Sequence, residues 1–248
     1  VPELDQWERL PILIKNIFGV DLDMQAVEIA RLNLLLRSLA KRETLPSLAD
    51  NIRQGNSLIS GTEEELGSYF GDNWQEKKPF NWEQEIEGIM VDGAFDVVIG
   101  NPPYVRIQTL PRDEAEYYRG YYKSAFGSFD IYILFLEQAI KLLKPGGRLG
   151  FITSGKFLKA DYGKKIQQIL RQECTVESII DLSAQQVFAE ATTYPVIMVL
   201  RKGAEKRPLN YTFVPKDIDL TKVAQPIDTS TLPTTSTNQG SMATNGKR

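Results

Sequence analysis

The chain contains no histidine and only one cysteine, Cys174, among its 248 residues. Without histidine there is no imidazole to act as a general base or a metal ligand, which excludes serine–histidine hydrolases and histidine-ligated metal enzymes. A single cysteine excludes a disulfide framework and a thiolate metal site. Cys174 lies in the stretch RQECTVES, away from any proline–cysteine motif. We therefore do not expect a thiolate nucleophile.

The chain also lacks long apolar runs and an excess of positive charge. No segment approaches the roughly 18 consecutive apolar residues of a membrane-spanning helix, and residues 1–10 do not resemble a signal peptide. We expect a cytoplasmic protein that uses no metal. The net charge is −3 and the pI about 5.3, so binding to a polyanion requires a local basic patch or another segment.

The composition can support a buried core, since 42% of the residues are hydrophobic and 25% are charged. Strand-like and helix-like segments alternate at βαβ spacing, which predicts an α/β fold with a mostly parallel sheet and helices on both faces. The predicted strands are 17–23, 51–54, 95–99, 148–153, 176–182, 194–201 and 210–214. The predicted helices are 5–16, 24–40, 129–143 and 162–172.

Two polar segments and a tail interrupt this alternation. The polar residues 61–92 are predicted to form an insertion with one short helix, and residues 105–128 a long loop rich in tyrosine and basic residues. From about Thr221 the chain is rich in Thr, Ser, Asn and Gly and has no apolar period, which predicts a disordered tail. We expect one domain over residues 1–220, followed by a tail over 221–248.

The stretch FDVVIGNPPYVRIQ places Asn101, Pro102, Pro103 and Tyr104 directly after a buried strand. The Asn101 side-chain oxygen and the Pro102 carbonyl are two acceptors, and the fixed φ angles of the prolines hold them rigid. Such a pair can orient the hydrogens of an exocyclic amine and free its lone pair for attack, while Tyr104 stacks on the base. The alternative is a simple strand-ending turn. We favour the functional interpretation because the motif follows an apolar strand in an α/β pattern.

Two weaker motifs, GVDLD and QGNSLI, follow the predicted strands 17–23 and 51–54. Asp21 at a strand tip can accept hydrogen bonds from both hydroxyls of a ribose, and Leu22 can pack on an adenine. Asn56, followed by Ser57, can meet the exocyclic amine of that adenine. Taken alone, a helix cap for Asp21 and an ordinary Gly-Asn turn for Asn56 are the better interpretations. Asp23 is also a plausible N-cap for the next helix.

Together and in this order, GVDLD, GNSLI and NPPYVRIQ resemble the DNA adenine-N6 methyltransferases of the gamma class. The resemblance is greatest to the catalytic domain of type IIG and related restriction-modification enzymes. The segments SFDIYILFLEQAIKLLKPGGRLGFITS and IIDLSAQQVFAEATTYPVIMVL also match, so the resemblance covers about residues 17–202. It implies a Rossmann-like fold with an antiparallel last strand. It also implies methyl transfer from S-adenosylmethionine (SAM) to N6 of an adenine flipped out of double-stranded DNA.

The resemblance also assigns roles to individual residues. It implies that Asp21 and Leu22 hold the ribose and the adenine of SAM. Asn56 and its neighbour Ser57 would contact that adenine, although the family often has aspartate at position 56. The residues that would hold the target base are Asn101, Pro102, Pro103, Tyr104 and, by stacking, Phe188. The alternative for Phe188 is a core residue before an edge strand.

The segment 105–128 follows the Asn-Pro-Pro-Tyr motif and is both aromatic and basic. Its cationic residues could contact DNA phosphates: Arg106, Arg112, Arg119 and Lys123. Its tyrosines could support the substrate strand: Tyr117, Tyr118, Tyr121 and Tyr122. Packing of the whole segment on the core as a lid is an equally good interpretation.

The chain departs from the family pattern in two ways. The glycine-rich first motif, which touches the methionine part of SAM, is not found, and neither is a target-recognition domain. We therefore expect a fragment or one piece of a split enzyme, without the first central strand, with weak cofactor binding and reduced stability. Three alternatives stay open: methylation of protein glutamine, methylation of RNA, and a catalytically silent binding subunit.

Overall fold

The computed structural model describes residues 6–38, 46–91, 94–185, 187, 194–205, 208–216 and 234–238. The chain divides into two compact units, Val1–Ile86 and Glu87–Arg248. Within the described residues, no helix combines the length and the apolar character that crossing a membrane requires.

The first unit contains a two-stranded parallel sheet and several helices. Its elements are α1 (Gln6–Asn16), β1 (Gly19–Asp21), α2 (Met24–Ser38), β2 (Ile52–Gln54), α3 (Glu63–Phe70), a 3-10 helix (Gly71–Lys77) and α4 (Trp82–Glu85). Strands β1 and β2 pair in parallel, with Asp21 opposite Gln54. Because the strands are parallel, the residues that follow them lie at the same edge of this small sheet.

Helix α2 begins where the sequence predicts it. The Asp23 carboxylate accepts a hydrogen bond from the backbone N–H of Gln25 at 2.9 Å, which confirms Asp23 as the N-cap. Val27, in the first turn, is fully buried. The two short parallel strands on either side of this helix complete a βαβ unit.

The first unit also contains most of the segment 61–92, where the sequence predicts one short helix. That prediction is wrong, because α3, a 3-10 helix and α4 all lie within it. Helix α3 starts with a reciprocal capping box, in which Thr62 Oγ1 accepts from Glu65 N–H at 3.2 Å and Glu65 Oε2 accepts from Thr62 N–H at 2.9 Å. Leu66 and Phe80 bury their side chains, so local caps and a few apolar anchors outweigh the polar composition.

The second unit is built on a six-stranded sheet. Its elements are α5 (Glu87–Val91), β3 (Phe95–Gly100), a 3-10 turn (Ile107–Thr109), α6 (Arg112–Tyr121), α7 (Tyr132–Leu142), β4 (Leu143–Ser154), 3-10 turns at Gly155–Leu158 and Asp161–Gly163, α8 (Lys164–Glu173), β5 (Cys174–Asp181), β6 (Pro195–Lys202), β7 (Pro208–Phe213) and β8 (Thr234–Asn238). The strand order is β3-β4-β6-β5-β7-β8.

The direction of the strands agrees with the predicted fold. β3 and β4 are parallel, as are β5 and β7. β6 runs antiparallel to both β4 and β5, and β8 runs antiparallel to β7. Four of the six strands therefore share one direction. The prediction of an α/β fold with a mostly parallel sheet is confirmed.

Helix α7 and strand β4 form the centre of this unit. The helix is almost entirely apolar, and its buried residues are Tyr132, Ile133, Leu134, Leu136, Glu137, Ala139, Ile140 and Leu142. It packs against β4, in which Leu149, Phe151 and Thr153 are buried. In the register of β3 with β4, Gly100 lies opposite Phe151, so the segments that follow the two strands leave the same edge of the sheet.

Three sequence predictions fail in this unit. Strand β3 is predicted to be buried, but Val97 is 59% and Ile99 80% exposed, since, among the described strands, β3 is the end strand of the sheet and pairs on one side only. Residues 105–128 contain helix α6, where the sequence predicts a loop. The helical period is hard to see in the sequence because the helix buries only one aromatic side within a polar segment. Strand β4 begins at Leu143, whereas the sequence predicts a strand over residues 148–153. Gly146 and Gly147 lie within β4. The pairing of β4 with β3 shifts register between Phe95 and Val97. Within the expected tail, the structure describes residues 234–238, which form β8; residues 217–233 and 239–248 lie outside the described part.

Candidate active site

Asp21, at the carboxyl end of β1, is exposed. Its Oδ1 accepts a hydrogen bond from the backbone N–H of Asp23 at 2.8 Å, and its carbonyl accepts one from Gly55 N–H at 2.9 Å. Because Asp23 supplies the cap of α2, capping does not account for Asp21. The carboxylate is oriented by its own turn and remains exposed to solvent.

Leu22 follows Asp21 and is 52% exposed. Its carbonyl accepts hydrogen bonds from Gln54 Nε2 at 3.1 Å and from Lys78 Nζ at 3.4 Å, so the backbone here is fixed from two sides. This edge therefore presents a carboxylate beside an exposed apolar side chain. A nucleoside has the matching chemistry, since its ribose hydroxyls donate and its base has an apolar face.

Asn56 leaves β2 at the same edge as Asp21. Its side-chain Oδ1 accepts from the backbone N–H of Leu58 at 3.1 Å, which is the ordinary turn interaction expected of asparagine. Gly55 is required before it, because a Cβ there would lie 2.8 Å from the Phe80 ring. An amide oxygen has a second lone pair, so Oδ1 can still accept from an exocyclic amine. Ser57, next in the turn, is half-buried.

In the second unit, the Asn-Pro-Pro-Tyr turn leaves the carboxyl end of β3. Asn101 and Pro103 are exposed, whereas Pro102 between them is buried. The buried ring anchors the turn, and the two prolines restrict its φ angles. The Asn101 side chain is thus presented to solvent from an anchored piece of backbone.

The chain after Tyr104 is held to the segment before α7. Residues 105–107 run antiparallel to residues 129–131, with Ile131 N–H donating to the Val105 carbonyl at 2.8 Å. A second hydrogen bond of 2.9 Å continues this pairing between the backbones of residues 107 and 129. Tyr104 is therefore flanked by a fixed turn on one side and a fixed backbone pair on the other.

The ring of Tyr104 packs on a cluster of buried aromatic rings. It meets Tyr132 edge to face, with centroids 6.0 Å apart. Tyr132 contacts Phe157 in the same way at 6.3 Å, and its hydroxyl hydrogen-bonds to that of Tyr162 at 3.0 Å. Burial raises the pKa of the Tyr104 and Tyr132 phenols, so both are neutral at physiological pH.

A half-buried carboxylate, Asp130, lies opposite Arg106 in the antiparallel backbone pair. Burial raises its pKa, while the positive charges of Lys156 and Arg106 act in the opposite direction. The site around Tyr104 is therefore bordered by one acidic and two basic side chains.

The two arginines of helix α6 contact residues of the segment 105–128 or a residue just after it. Arg112 pairs with Glu116 at 2.8 Å, and both side chains are exposed, so this ion pair adds little stability. Arg119 donates to the Gly127 carbonyl at 3.0 Å and lies over the Phe129 ring at 5.4 Å. The buried tyrosines of this segment are Tyr117, Tyr118 and Tyr122. These contacts favour the lid interpretation of residues 105–128 over phosphate binding.

The end of this segment is held by a buried carboxylate on α7. Glu137 is 3% exposed and accepts from the backbone N–H groups of Ser124 at 2.8 Å and Lys123 at 3.3 Å. Lys141 pairs with it at 3.0 Å. Burial opposes ionisation of Glu137, but these hydrogen bonds and Lys141 lower its pKa below the ordinary value.

Two further sequence predictions concern Phe188 and Cys174. Phe188 lies outside the described residues. Cys174 is buried at the start of β5, and burial raises the pKa of its thiol to about 12. A thiolate is therefore disfavoured at neutral pH.

Sequence reasoning did not single out Tyr132, Tyr162, Asp130 or Lys156, which the structure brings to the border of the Asn-Pro-Pro-Tyr turn. The available signal was polar residues at the start of an otherwise apolar helix, in the stretch SFDIYILF. Tyr162 and Lys156 gave only the weaker signal of a lysine-rich stretch. Their proximity depends on strand pairing, which local sequence does not specify.

Comparison with known proteins identifies relatives over most of the chain. A family model described as Eco57I restriction-modification methylase matches residues 15–188. The type II restriction enzyme and methyltransferase RM.Eco57I of Escherichia coli is 36% identical over 204 residues, which are 77% of this chain and 19% of that protein. The adenine-specific methyltransferase PglX of Streptomyces coelicolor is 26% identical over 230 residues, 83% of this chain and again 19% of the relative.

A solved structure with a similar fold is a nuclease-deletion mutant of the Type ISP restriction-modification enzyme LlaGI, in complex with a DNA substrate mimic. The TM-score is 0.61 at 14% identity, covering 86% of this chain and 19% of that one. At this identity the likeness concerns the fold alone. The chain covers about a fifth of the length of each of these three proteins.

Proposed function

Because the chain belongs to the Eco57I restriction-modification methylase family, we propose that it transfers a methyl group from SAM to N6 of adenine in DNA. The target base would be extruded from the double helix to reach the site. The reaction would take place in the cytoplasm, as part of a restriction-modification or related system. The full enzyme would supply the remaining contacts to cofactor and DNA.

The observation that carries this proposal is the anchored turn of Asn101 and Pro102. The exocyclic amine of adenine is a poor nucleophile because its lone pair is delocalised into the ring. Two fixed acceptors, the Asn101 side-chain oxygen and the Pro102 carbonyl, would hold the amine hydrogens and favour a tetrahedral nitrogen. As the nitrogen attacks, positive charge develops on it, and acceptors already in place stabilise that charge without reorganisation. The buried Pro102 ring keeps the pair in position.

Tyr104 supplies the stacking surface. It is half-buried and packed on Tyr132, so its ring plane is set before any base arrives. Base–aromatic stacking contributes about 1–3 kcal/mol per base, enough to offset a large part of the unstacking of the extruded adenine. Pro103, exposed beside it, would limit the motion of the ring.

The cofactor side of the proposal uses the edge of the first unit. SAM, when bound, supplies an activated methyl group on a sulfonium, so the protein need only position the reactants and stabilise charge. Asp21 would accept from the ribose hydroxyls and Leu22 would pack on the adenine. Asn56, together with Ser57, would meet the amine of that adenine through its second lone pair.

The substrate class can be tested directly with the full-length enzyme and methyl-labelled SAM. Unmethylated duplex DNA, RNA and a glutamine-containing release factor are supplied together, and the label is traced after separation. We expect the label in DNA. Label in RNA or protein would reject the DNA assignment, and no label in any of the three would favour a silent binding role.

A further inference from the structure

A lysine-rich turn follows β4 in the second unit. We call residues 155–165 the lysine turn; its charged residues are Lys156, Lys159, Asp161, Lys164 and Lys165. Four lysines and one aspartate give a formal charge of +3, whereas the whole chain carries −3. Lys159, Lys164 and Lys165 are exposed and Lys156 is half-buried. This turn is therefore a local basic patch in an acidic chain, which is what binding to a polyanion requires.

The backbone of the lysine turn is rigidly held. Gln167, buried on α8, donates through its side-chain amide to the carbonyls of Phe157 at 2.7 Å and Leu158 at 3.3 Å. At Gly163 an added Cβ would lie only 1.8 Å from the Phe157 carbonyl oxygen. The backbone at Gly163 therefore approaches the backbone at Phe157 too closely for any residue but glycine. Lys164 pairs with Asp161 at 2.7 Å. Lys159 and Lys165 are exposed on this fixed scaffold, so only their side chains need to be ordered on binding.

The lysine turn leaves the sheet at the same edge as the Asn-Pro-Pro-Tyr turn. β3 and β4 are parallel, and Gly100 pairs with Phe151, so Asn101 and Gly155 both continue from neighbouring carboxyl ends.

Side-chain contacts connect the two turns through Tyr132 on α7. Tyr162 in the lysine turn hydrogen-bonds to Tyr132, whose ring packs on Tyr104. The charge of Lys156 acts on Asp130, which lies opposite Arg106. Tyr162 and Lys156 of the lysine turn therefore lie beside the place where the target base would enter.

The basic residues of α6 do not offer an equivalent surface. The helix carries two arginines and three acidic residues, a formal charge of −1. Arg112 is paired with Glu116, and Arg119 is bound to Gly127. The whole segment 105–128 carries four basic and three acidic residues, a formal charge of +1, against +3 for the lysine turn.

We propose that the lysine turn binds the phosphates of the DNA strand that carries the target base, next to the extruded nucleotide. This inference rests on the proposed function. Phosphate contacts fix the register of the backbone without reading sequence, and they would hold the strand while one base leaves the stack. Lysine suits this role as a compact, mobile point charge.

The test compares charge-neutralised variants of the full-length enzyme. Lys159→Gln and Lys165→Gln are made singly and together, and the affinity for a labelled duplex is measured by fluorescence anisotropy over a range of salt concentrations. Each lost phosphate contact should reduce the slope of log affinity against log salt by about 0.9. Between ~50 and ~200 mM salt, each variant should therefore lose about 3.5-fold less affinity than the wild type. The KM for DNA should rise, and kcat should stay nearly unchanged.

Lys144→Gln is the matched control. It removes one positive charge at the start of β4, about 33 Å along the strand from Ser154 at ~3.3 Å per residue. The control should leave the salt slope unchanged. Equal slopes in the wild type and the Lys159 and Lys165 variants, or an equal change in the control, would overturn the proposal.

Methyl transfer by the wild type is measured in parallel, which separates the two proposals. If the wild type methylates DNA and the slopes are unchanged, only the lysine turn proposal fails. If the wild type methylates RNA or protein and leaves DNA unmodified, both proposals fail.

Discussion

The ring of Tyr104 meets the ring of Tyr132 edge to face, with centroids 6.0 Å apart and planes at 87°. Tyr132 is fully buried, and its hydroxyl is tied to Tyr162 at 3.0 Å. An aromatic pair of this geometry contributes about 0.5–1.5 kcal/mol beyond the area it buries. Tyr132 therefore sets the plane of Tyr104, and Tyr104 is the surface on which the target base would stack.

This pair predicts a coupling between the two rings in turnover. Tyr104→Leu and Tyr132→Leu should each lower kcat/KM for DNA in the full-length enzyme, and the double variant should lower it by less than the product of the two factors. The reason is that Tyr132 acts through Tyr104, so its effect vanishes once that ring is gone. Tyr132→Phe keeps the ring and should leave kcat/KM within about twofold, since one neutral hydrogen bond contributes ~1 kcal/mol, mainly to stability. Multiplicative effects in the double variant would contradict a positioning role.

We predict that the Glu137 carboxylate anchors the end of residues 105–128 and that this anchor depends on pH. Glu137→Gln removes the ion pair with Lys141 and weakens the hydrogen bonds from Ser124 and Lys123. We expect a loss of about 1–3 kcal/mol of stability at pH 7 and faster hydrogen exchange over residues 121–126. The pKa of Glu137 is lower in the folded than in the unfolded protein. The stabilisation by its carboxylate is therefore fully present above pH ~4.3, the unfolded pKa, and is lost as the pH falls through the folded pKa.

The control for this anchor is Glu116→Gln, which removes an exposed ion pair with Arg112. It should change stability by less than about 1 kcal/mol. The difference between wild type and Glu137→Gln should shrink in acid, and a difference that grew instead would contradict an ionised Glu137.

Gly163 predicts that the lysine turn does not tolerate a side chain. In Gly163→Ala the new Cβ would lie 1.8 Å from a backbone carbonyl oxygen, so the turn must open or shift. We expect a loss of more than about 2 kcal/mol, as for other overpacked sites, in urea unfolding of the full-length enzyme. Gly88→Ala, in helix α5 with open space around its Cβ, should be neutral or stabilise by up to ~1 kcal/mol. Similar behaviour of the two variants would contradict the tight closure of the turn.

Cys174 predicts a thiol that is inert in the folded enzyme. Burial and a thiol pKa of about 12 leave almost no thiolate at pH 8. Iodoacetamide should therefore leave Cys174 unmodified in the native protein and alkylate it in denaturant, as peptide mass spectrometry can measure. Cys174→Ala should retain methyl transfer, and its loss in a folded variant would indicate a thiol role that our account lacks.

Patterns that act over a few residues were predictable from the sequence. The strand before Asn101, the Asp23 cap and the mixed α/β order follow from apolar periodicity and helix caps, and the structure confirms them. The predicted burial of that strand is wrong, because apolar composition does not show that the strand lies at the end of the sheet. Proline–proline after an apolar strand also pointed to an anchored polar turn, since fixed φ angles are a local property.

The remaining features depend on contacts between distant segments. The rings of Tyr104 and Tyr132 come together because residues 105–107 pair with residues 129–131. A single tyrosine at the start of a helix does not predict that pairing. Helix α6 was missed because its polar composition resembles a loop, while three acidic residues offset its two arginines.

The central claim is that the Asn101 side chain accepts a hydrogen bond from the exocyclic amine of adenine. One comparison tests it most directly. Wild type and Asn101→Ala full-length enzymes are incubated with methyl-labelled SAM and unmethylated DNA, and the nucleosides are analysed by mass spectrometry. SAM affinity of both is measured by calorimetry. We predict N6-methyldeoxyadenosine from the wild type and at least ~100-fold less from the variant, with unchanged SAM affinity. Label on cytosine, equal turnover by Asn101→Ala, or loss of SAM binding in that variant would contradict the claim.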